Sequence, residues 1–307
     1  MSITQDHLPG VVVLERGWLS SNCIVFVEGD RTAVVDSGYS THAAQTVSLV
    51  DKALAGRRLD VLVNTHLHSD HCGGNAALQA QYPSLATLVP HTQVEAVRIW
   101  DEDRLSYRAT GQRCERFAAT GSIAPGQQIQ LGHRAWEVHS APGHDPDAVL
   151  LFEPRSRILI SADALWQSGF GVVFPELEGQ RAFEEVGATL DTIEQLAPAL
   201  VIPGHGPAFE DVRTALRVAR ERLAYFAANP VRHGQYAAKV LLKFKLLEVQ
   251  TITAVEFHCW ARGCSYLRLL QSKWNRETEF DDWLDRLIAD LVRSEAAVWD
   301  GDHLRNN

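Results

Sequence analysis

The strongest signal in this chain is the stretch Asn64-Thr65-His66-Leu67-His68-Ser69-Asp70-His71-Cys72-Gly73-Gly74-Asn75. It places three histidines and an aspartate directly after the short apolar segment 59–63. That segment is alternating and β-branched, which predicts a strand, and the apolar residues after the two glycines predict a helix. The cluster therefore lies on a strand-to-helix turn at a predicted sheet edge. Because neutral imidazole and carboxylate groups bind zinc and similar divalent metals, the turn predicts a metal site.

The spacing within this turn separates the candidate ligands into two groups. Along an extended turn, His66 and His68 point one way, while Asp70 and His71 curl toward a second position. One short segment could therefore hold two adjacent metals. The alternative is an exposed, histidine-rich turn without a metal, and the further candidate ligands along the chain argue against it.

Further candidate ligands also follow predicted strands closely. Glycine and proline fix a turn beside two of them. A metal site at one sheet edge requires this shared placement. Asp36, at the end of an earlier strand, is expected either to hydrogen-bond a metal ligand or to cap the next helix. The later candidates are His144 after strand 134–140, Asp163 after strand 157–160 and His205 after strand 199–202.

Composition is that of an ordinary globular protein. The 307 residues allow one large domain, or one with a smaller appendage. A formal net charge of −9 argues against broad binding to nucleic acid or anionic membranes, so the expected partner is a small-molecule substrate. Five cysteines without a Cys-x-x-Cys pair suit the reduced thiols of a cytosolic enzyme.

The location of the chain can also be predicted from its apolar segments. No apolar run approaches the ~20 residues that span a bilayer. The segment Met1–Gly10 has no apolar core of the kind that a signal peptide requires. We therefore expect a soluble, cytoplasmic protein, and the oligomeric state is left open.

Strand and helix patterns divide the chain into two predicted domains. Residues 1–207 alternate strands with helices, which predicts a layered α/β domain. Residues 208–307 lack strand signals and are predicted to form an all-helical C-terminal domain, in which Thr253 and Glu256 could form a capping box. Because few residues follow His205 before the first of these helices, this domain is expected to form one wall of the substrate pocket. The predicted strands are 11–14, 23–27, 32–35, 59–63, 84–90, 134–140, 148–152, 157–160 and 199–202.

A local basic region lies within this acidic chain. The segment 98–116 contains five arginines among aromatic residues. It could receive an anionic part of a substrate, since arginine binds carboxylates and phosphates. The alternative is a solvated helix face.

The candidate ligands resemble, in order and spacing, those of the metallo-β-lactamase superfamily. The resemblance covers residues 11–207 and fills all seven ligand positions. It implies an α/β fold, a four-layer αββα sandwich with the metals at one edge. By this resemblance His66, His68 and His144 bind the first metal, Asp70, His71 and His205 bind the second, and Asp163 bridges the two.

The bridging position separates branches of the superfamily. True β-lactamases usually have cysteine or serine at this position. An aspartate there, as at Asp163, resembles glyoxalase II, lactonases, other thioester hydrolases and RNA-processing nucleases. The acidic net charge weighs against the nucleases. Lactonases that act on acyl-homoserine lactones have a tyrosine three residues further on, where this chain has Trp166. A helical C-terminal domain is similar to glyoxalase II, although its glutathione-binding residues have no match in 208–307.

The resemblance implies a metal-dependent hydrolase. A hydroxide bound between two metals would attack an ester or thioester acyl carbon, since bridging lowers the pKa of water to about 7. Asp70 could orient the hydroxide and is the expected catalytic residue. The expected cofactors are two zinc ions, with iron or manganese as alternatives. No redox-active thiol pair is evident in the sequence.

Three alternative functions remain at this point. One is a lactonase or another ester hydrolase that uses the same site. Another is a persulfide oxidoreductase with a single iron. A third is a binding protein that kept the fold and lost turnover, which the complete ligand set argues against.

Overall fold

The computed structural model describes residues 9–307, which divide into two compact units. One unit extends to Leu105 and continues over Arg113–Ala224, and the other contains Ser106–Gln112 and Tyr225–Asn307. The domain boundary after residue 207 stays a prediction. The prediction that Met1–Gly10 contains no signal peptide rests mainly on residues 1–8, which lie outside the described residues. Within residues 9–307, no helix has the length and apolar character that crossing a membrane requires.

The first unit is built on two sheets. In the first sheet β1, β2 and β3 are antiparallel and β3 to β6 are parallel. In the second, β7 to β10 are antiparallel and β11 is parallel to β10. The strands of the first sheet, in spatial order, are β1 (Val11–Leu14), β2 (Cys23–Phe26), β3 (Ala33–Val35), β4 (Val61–Val63), β5 (Ala86–Pro90) and β6 (Gly121–Ile123). Those of the second are β7 (Gln128–Leu131), β8 (Arg134–Ser140), β9 (Val149–Glu153), β10 (Ile158–Ala162) and β11 (Leu200–Pro203).

The core between the two sheets follows from the two-residue period of the strands. Ile24 and Phe26 of β2 face the same buried cluster as Trp136 of β8 and Leu151 of β9. The Phe26 and Trp136 rings meet edge to face, with their centroids 5.6 Å apart. Because both sheets contribute to one apolar cluster, they pack face to face.

Helices cover the outer faces of the sheets. The odd positions of β2, such as Val25, pack in a second cluster with Val50 and Leu54 of the first helix. All residues of β9, β10 and β11 are buried, which requires cover on both sides of the second sheet. The predicted four-layer αββα sandwich is therefore confirmed. The α-helices of the described residues are α1 (Ala43–Leu54), α2 (Ser69–Cys72), α3 (Asn75–Gln81), α4 (Val94–Ile99), α5 (Tyr107–Thr110), α6 (Phe174–Leu177), α7 (Ala182–Leu196), α8 (Val212–Ala228), α9 (Pro230–Val249), α10 (Ala254–Gly263), α11 (Ser265–Trp274) and α12 (Phe280–Arg293).

The second unit contains the predicted C-terminal helices from α9 onward and an unpredicted small sheet, whereas most of α8 lies in the first unit. Helix α10 begins with the predicted capping box, in which the Thr253 and Glu256 side chains each accept from the other residue's backbone N–H. The expectation of an all-helical appendage missed three short strands, because three or four residues are too few to show a two-residue period. In spatial order these strands are β12 (Thr251–Thr253), β14 (His303–Asn306) and β13 (Ala297–Asp300).

The inter-sheet core gives a direct test of the fold. Leu151 is fully buried there, so Leu151→Ala should lower the free energy of unfolding by about 2–5 kcal/mol through lost burial and a cavity. Urea unfolding followed by tryptophan fluorescence measures this change. The control is Ile99→Ala, which removes a half-exposed side chain of the same unit and should change stability by about 0.5 kcal/mol or less. Equal effects of the two substitutions would contradict the packing.

Candidate metal centre

The seven predicted ligands converge at one edge of the sandwich. They lie in the segments that follow β4, β8, β10 and β11, as the sequence predicted. All are buried or nearly so, and the two most exposed side chains, His68 and Asp70, show 12% and 13% of their surface. The structure therefore brings together residues that are up to 139 positions apart in the chain: His66, His68, Asp70, His71, His144, Asp163 and His205.

These residues form two clusters. One nitrogen each from His66, His68 and His144 lies within 4.8 Å of the others. The second cluster, with the same limit between its ligand atoms, contains Asp70, His71, Asp163 and His205. Each cluster has enough nitrogen and oxygen donors to hold one metal ion.

Asp163 lies between the two clusters. Its Oδ2 is 3.5 Å from His144 Nε2 in the first cluster. Its Oδ1 is 3.3 Å from His71 Nε2 and 3.8 Å from His205 Nε2 in the second. One carboxylate thus faces both clusters, which is the arrangement that a bridging ligand needs.

Acceptors behind two of the rings determine which nitrogen faces the clusters. When one ring nitrogen of a neutral imidazole donates its hydrogen, the other presents its lone pair. Asp36 is one of these acceptors, so its expected hydrogen bond to a candidate ligand is present. The contacts are His71 Nδ1 to Asp36 Oδ2 at 2.8 Å and His144 Nδ1 to the Val172 carbonyl at 2.6 Å. At His68, Nε2 lies 3.5 Å from Asp145 Oδ2.

Burial and neighbouring charges set the protonation of the two clusters differently. Burial, helped by neighbouring histidines, lowers the pKa of His68 to about 3 and that of His66 well below its usual value. Burial also opposes a charge on His71, but the Asp163 and Asp36 carboxylates together outweigh it and raise the pKa of His71 well above its usual value. Burial would raise the pKa of Asp163, yet the histidines beside it hold that pKa well below the usual range. The first cluster thus presents neutral imidazoles, the form that binds metal.

Buried nitrogens without hydrogen-bond partners test whether a metal fits. His66 Nε2 and His71 Nε2 are both inaccessible to solvent, and neither has a hydrogen-bond partner among the described residues. His68 Nδ1 and His144 Nε2 lie only 2.7 Å apart. Leaving buried polar atoms without such partners costs about 1–3 kcal/mol each, and a cation in each cluster would satisfy them. The residues present therefore fit a pair of divalent metals.

Asn22 positions the turn that carries His205, and the sequence analysis missed it. Its side-chain amide donates to the carbonyls of Pro203 and Gly206 at 2.9 and 2.8 Å, and its backbone N–H donates to Gly204. The preceding residue in the chain, Ser21, donates its backbone N–H to the Asp70 carbonyl at 2.9 Å. No sequence signal indicates these contacts, because the partners are as many as 184 residues apart.

Two tryptophans flank the second cluster. Trp18 stacks on the His205 ring at 5.5 Å and leaves more than half of its own surface exposed. Trp166 packs edge-on against Trp18 and His205. Its indole N–H donates to Asp163 Oδ1 at 3.2 Å, so the tryptophan at this position hydrogen-bonds the carboxylate between the clusters. These side chains give this end of the site an aromatic wall.

The arginine-rich segment 98–116 is divided between the two units and is not a single structural element. Arg98 is exposed on α4 and forms a bidentate ion pair with Glu95, one turn earlier. This pairing agrees with the solvated-helix interpretation for Arg98. Residues 106–112 of the segment belong to the second unit, whereas 98–105 and 113–116 belong to the first.

Comparison with known proteins agrees with the fold. The Metallo-beta-lactamase superfamily matches residues 16–205, which is more than half of the chain. The chain therefore belongs to this superfamily. A metallo-beta-lactamase family protein from Thermus thermophilus has a similar structure, with a TM-score of 0.58 at 18% identity over 98% of this chain and 99% of that one.

Curated relatives include two hydroxyacylglutathione hydrolases and a thioesterase. The Stenotrophomonas maltophilia hydrolase is 30% identical over 151 residues, 49% of this chain and 48% of that protein. The chain thus spans about half the length of this relative. The Synechococcus hydrolase is 29% identical over 232 residues, with 75% of this chain and 79% of that protein covered. A human acyl-coenzyme A thioesterase is 28% identical over 204 residues, with 61% and 67% covered.

The carboxylate between the clusters can be tested by substitution. Asp163→Asn keeps the shape but removes the negative charge, so we expect turnover and the affinity for one of two metals to fall by roughly 100-fold or more. Elemental analysis after dialysis measures the metal retained, and circular dichroism measures folding. The matched control is Asp191→Asn, a mostly exposed aspartate of the same unit that pairs with Arg220. Two metals and full activity in Asp163→Asn would refute a bridging role.

Asn22 gives a second test of how the centre is positioned. Asn22→Ala removes the donor to the buried Pro203 carbonyl and the part-buried Gly206 carbonyl and should lower stability by about 1–3 kcal/mol. Because the turn of His205 then loses its support, retained metal should also fall, while the matched change Asn229→Ala at an exposed side chain should keep it. A loss of stability with unchanged metal affinity would show that Asn22 serves only the fold.

Proposed function

We propose that this chain is a dinuclear metal-dependent hydrolase of small thioester or ester substrates. The observation that carries the proposal is the pair of adjoining clusters with the Asp163 carboxylate between them. Two divalent cations bound there would supply Lewis acidity toward a carbonyl oxygen and lower the pKa of a water molecule. Zinc is the proposed metal, because five imidazoles and two carboxylates are donors that it accepts readily.

The residues of the chain have separate proposed roles. His66, His68 and His144 would hold the first metal, and Asp70, His71 and His205 would hold the second, with Asp163 available to both. Asp70 is also proposed to orient the attacking water, since its side chain is among the most exposed of the seven. Asp36 holds His71 in the tautomer that presents Nε2 to the second cluster.

Thioesters are the proposed substrates for two reasons. A thiolate can leave as an anion, whereas an amine usually needs a proton, and no separate general acid is required of the site for a thiolate. The relatives named as hydroxyacylglutathione hydrolases and as an acyl-coenzyme A thioesterase support the same class. The aromatic wall of Trp18 and Trp166 would suit an apolar part of such a substrate.

A substrate panel tests this proposal. With zinc-loaded protein we expect kcat/KM for the best acyl thioester to exceed that for β-lactams by at least roughly tenfold, a difference of about 1.4 kcal/mol between transition states. Lactones and other oxygen esters should lie between. The Asp163→Asn protein is the control for contaminating hydrolases. Faster opening of β-lactams than of any thioester would overturn the order.

Metal analysis separates this function from oxidation chemistry. Protein purified without added metal should contain two zinc ions for each chain if it is the proposed hydrolase. A single iron, together with oxidation of a persulfide and no thioester hydrolysis, would replace the proposal with an oxidoreductase.

A further inference from the structure

Two cysteines that are distant in the sequence meet beside the candidate metal centre. Cys72 Sγ and Cys114 Sγ are 3.7 Å apart, although 42 positions separate them in the chain. Both are reduced thiols in the structure. The sequence showed no redox-active thiol pair, because spacing along the chain cannot reveal a contact of this kind.

Cys72 lies next to candidate ligands in the sequence and contacts the turn that carries another. It is the last residue of α2, the short helix that carries Asp70 and His71. Its sulfur lies 3.5 Å from the Leu67 carbonyl and 3.3 Å from the His68 carbonyl, so the thiol also contacts the turn before the helix. The thiol of Cys72 therefore adjoins backbone that carries candidate ligands of both clusters.

Cys114 lies in a segment without regular secondary structure that is fixed at its start. The Arg113 N–H donates to the Tyr39 hydroxyl at 3.1 Å, and the Arg113 carbonyl accepts from the Ser40 hydroxyl at 3.3 Å. Cys114 is partly exposed, whereas Cys72 is fully buried. A small reagent from solvent would thus reach Cys114 first.

We propose that Cys72 and Cys114 form a redox modification site, which a low-molecular-weight disulfide oxidises to a protein disulfide. The Cys114 thiolate attacks one sulfur of the reagent, forms a mixed disulfide and releases one small thiol. Cys72 attacks Cys114 Sγ, which forms the Cys72–Cys114 bond, and its proton passes to the second small thiol as that thiol leaves. Two electrons pass from the protein thiols to the reagent, which is reduced to two thiols.

Closing this bond alters the metal centre. A disulfide is about 2.05 Å long, so the sulfurs must approach each other by roughly 1.6 Å. Metal–ligand distances tolerate about 0.2 Å, and α2 carries two candidate ligands within three residues of Cys72. Oxidation also removes the S–H that faces the His68 carbonyl. The oxidised protein therefore holds metal less tightly, and reduction restores it.

The ordinary alternative is that the two thiols only pack as small side chains. Incubation of metal-loaded full-length protein with cystamine, a small disulfide, distinguishes the two. After alkylation of free thiols, peptide mass spectrometry without reduction should find the Cys72 and Cys114 peptides joined. Elemental analysis after dialysis should show metal affinity lowered by about tenfold or more, and dithiothreitol should restore it.

Two variants make the result specific. Cys114→Ser should form no link and keep its metal in cystamine, whereas Cys259→Ser, which removes an exposed cysteine outside the pair, should behave like the unmodified chain. A Cys114–cystamine adduct without a link would overturn the proposal. A link formed at unchanged metal affinity would overturn its effect on the centre. Neither readout uses a substrate, so the result is independent of the proposed hydrolase.

Discussion

The structure of the first unit depends on burying two carboxylates and five imidazoles at one edge of the sandwich. Buried charges are costly unless they compensate one another, and here they do. Burial alone would neutralise Asp163, yet the histidines beside it hold its pKa well below the usual range. The same carboxylate raises the pKa of His71. The compensation leaves specific buried nitrogens without hydrogen-bond partners among the described residues, and these point to where cations would lie.

This arrangement requires the main chain to approach the ligands closely. A side chain on Gly204, directly after β11, would collide with Asp163 and His71, and one on Gly171 would collide with His144. Asp36 has a positive φ of 58°, uncommon for a residue with a side chain, and in that conformation it accepts hydrogen bonds from Thr65 as well as His71. Local backbone geometry is thus shaped by the site.

The loop between β1 and β2 joins turns that would otherwise be independent. Ser20 accepts from the Tyr39 backbone, Ser21 donates to Asp70, and Asn22 holds the turn of His205. The same loop presents Trp18 to the His205 ring. A single loop therefore fixes the second cluster and supplies part of its aromatic wall. The contact between Cys72 and Cys114 extends this network from the end of α2.

The sequence by itself determined the strands that lead into the site and the identity of the candidate ligands. Apolar strands that end in histidine, aspartate, glycine and proline carry this information locally. The αββα sandwich was implied by the resemblance of the ligand set to the metallo-β-lactamase superfamily. The sequence missed β6 and β7, because Gly121–Ile123 is too short to show a period and Gln128–Leu131 is half polar.

The resemblance had implied which ligands share a cluster, and only the tertiary structure decided the distances within each cluster and from Asp163 to both. It also decided that Asn22, Trp18 and the Cys72–Cys114 pair adjoin them. The two cysteines are 42 positions apart in the chain, and Asn22 is 184 positions from Gly206. No local pattern of residues encodes the spatial distance between groups so far apart, because that distance is set by how the two sheets and the loop between β1 and β2 pack together.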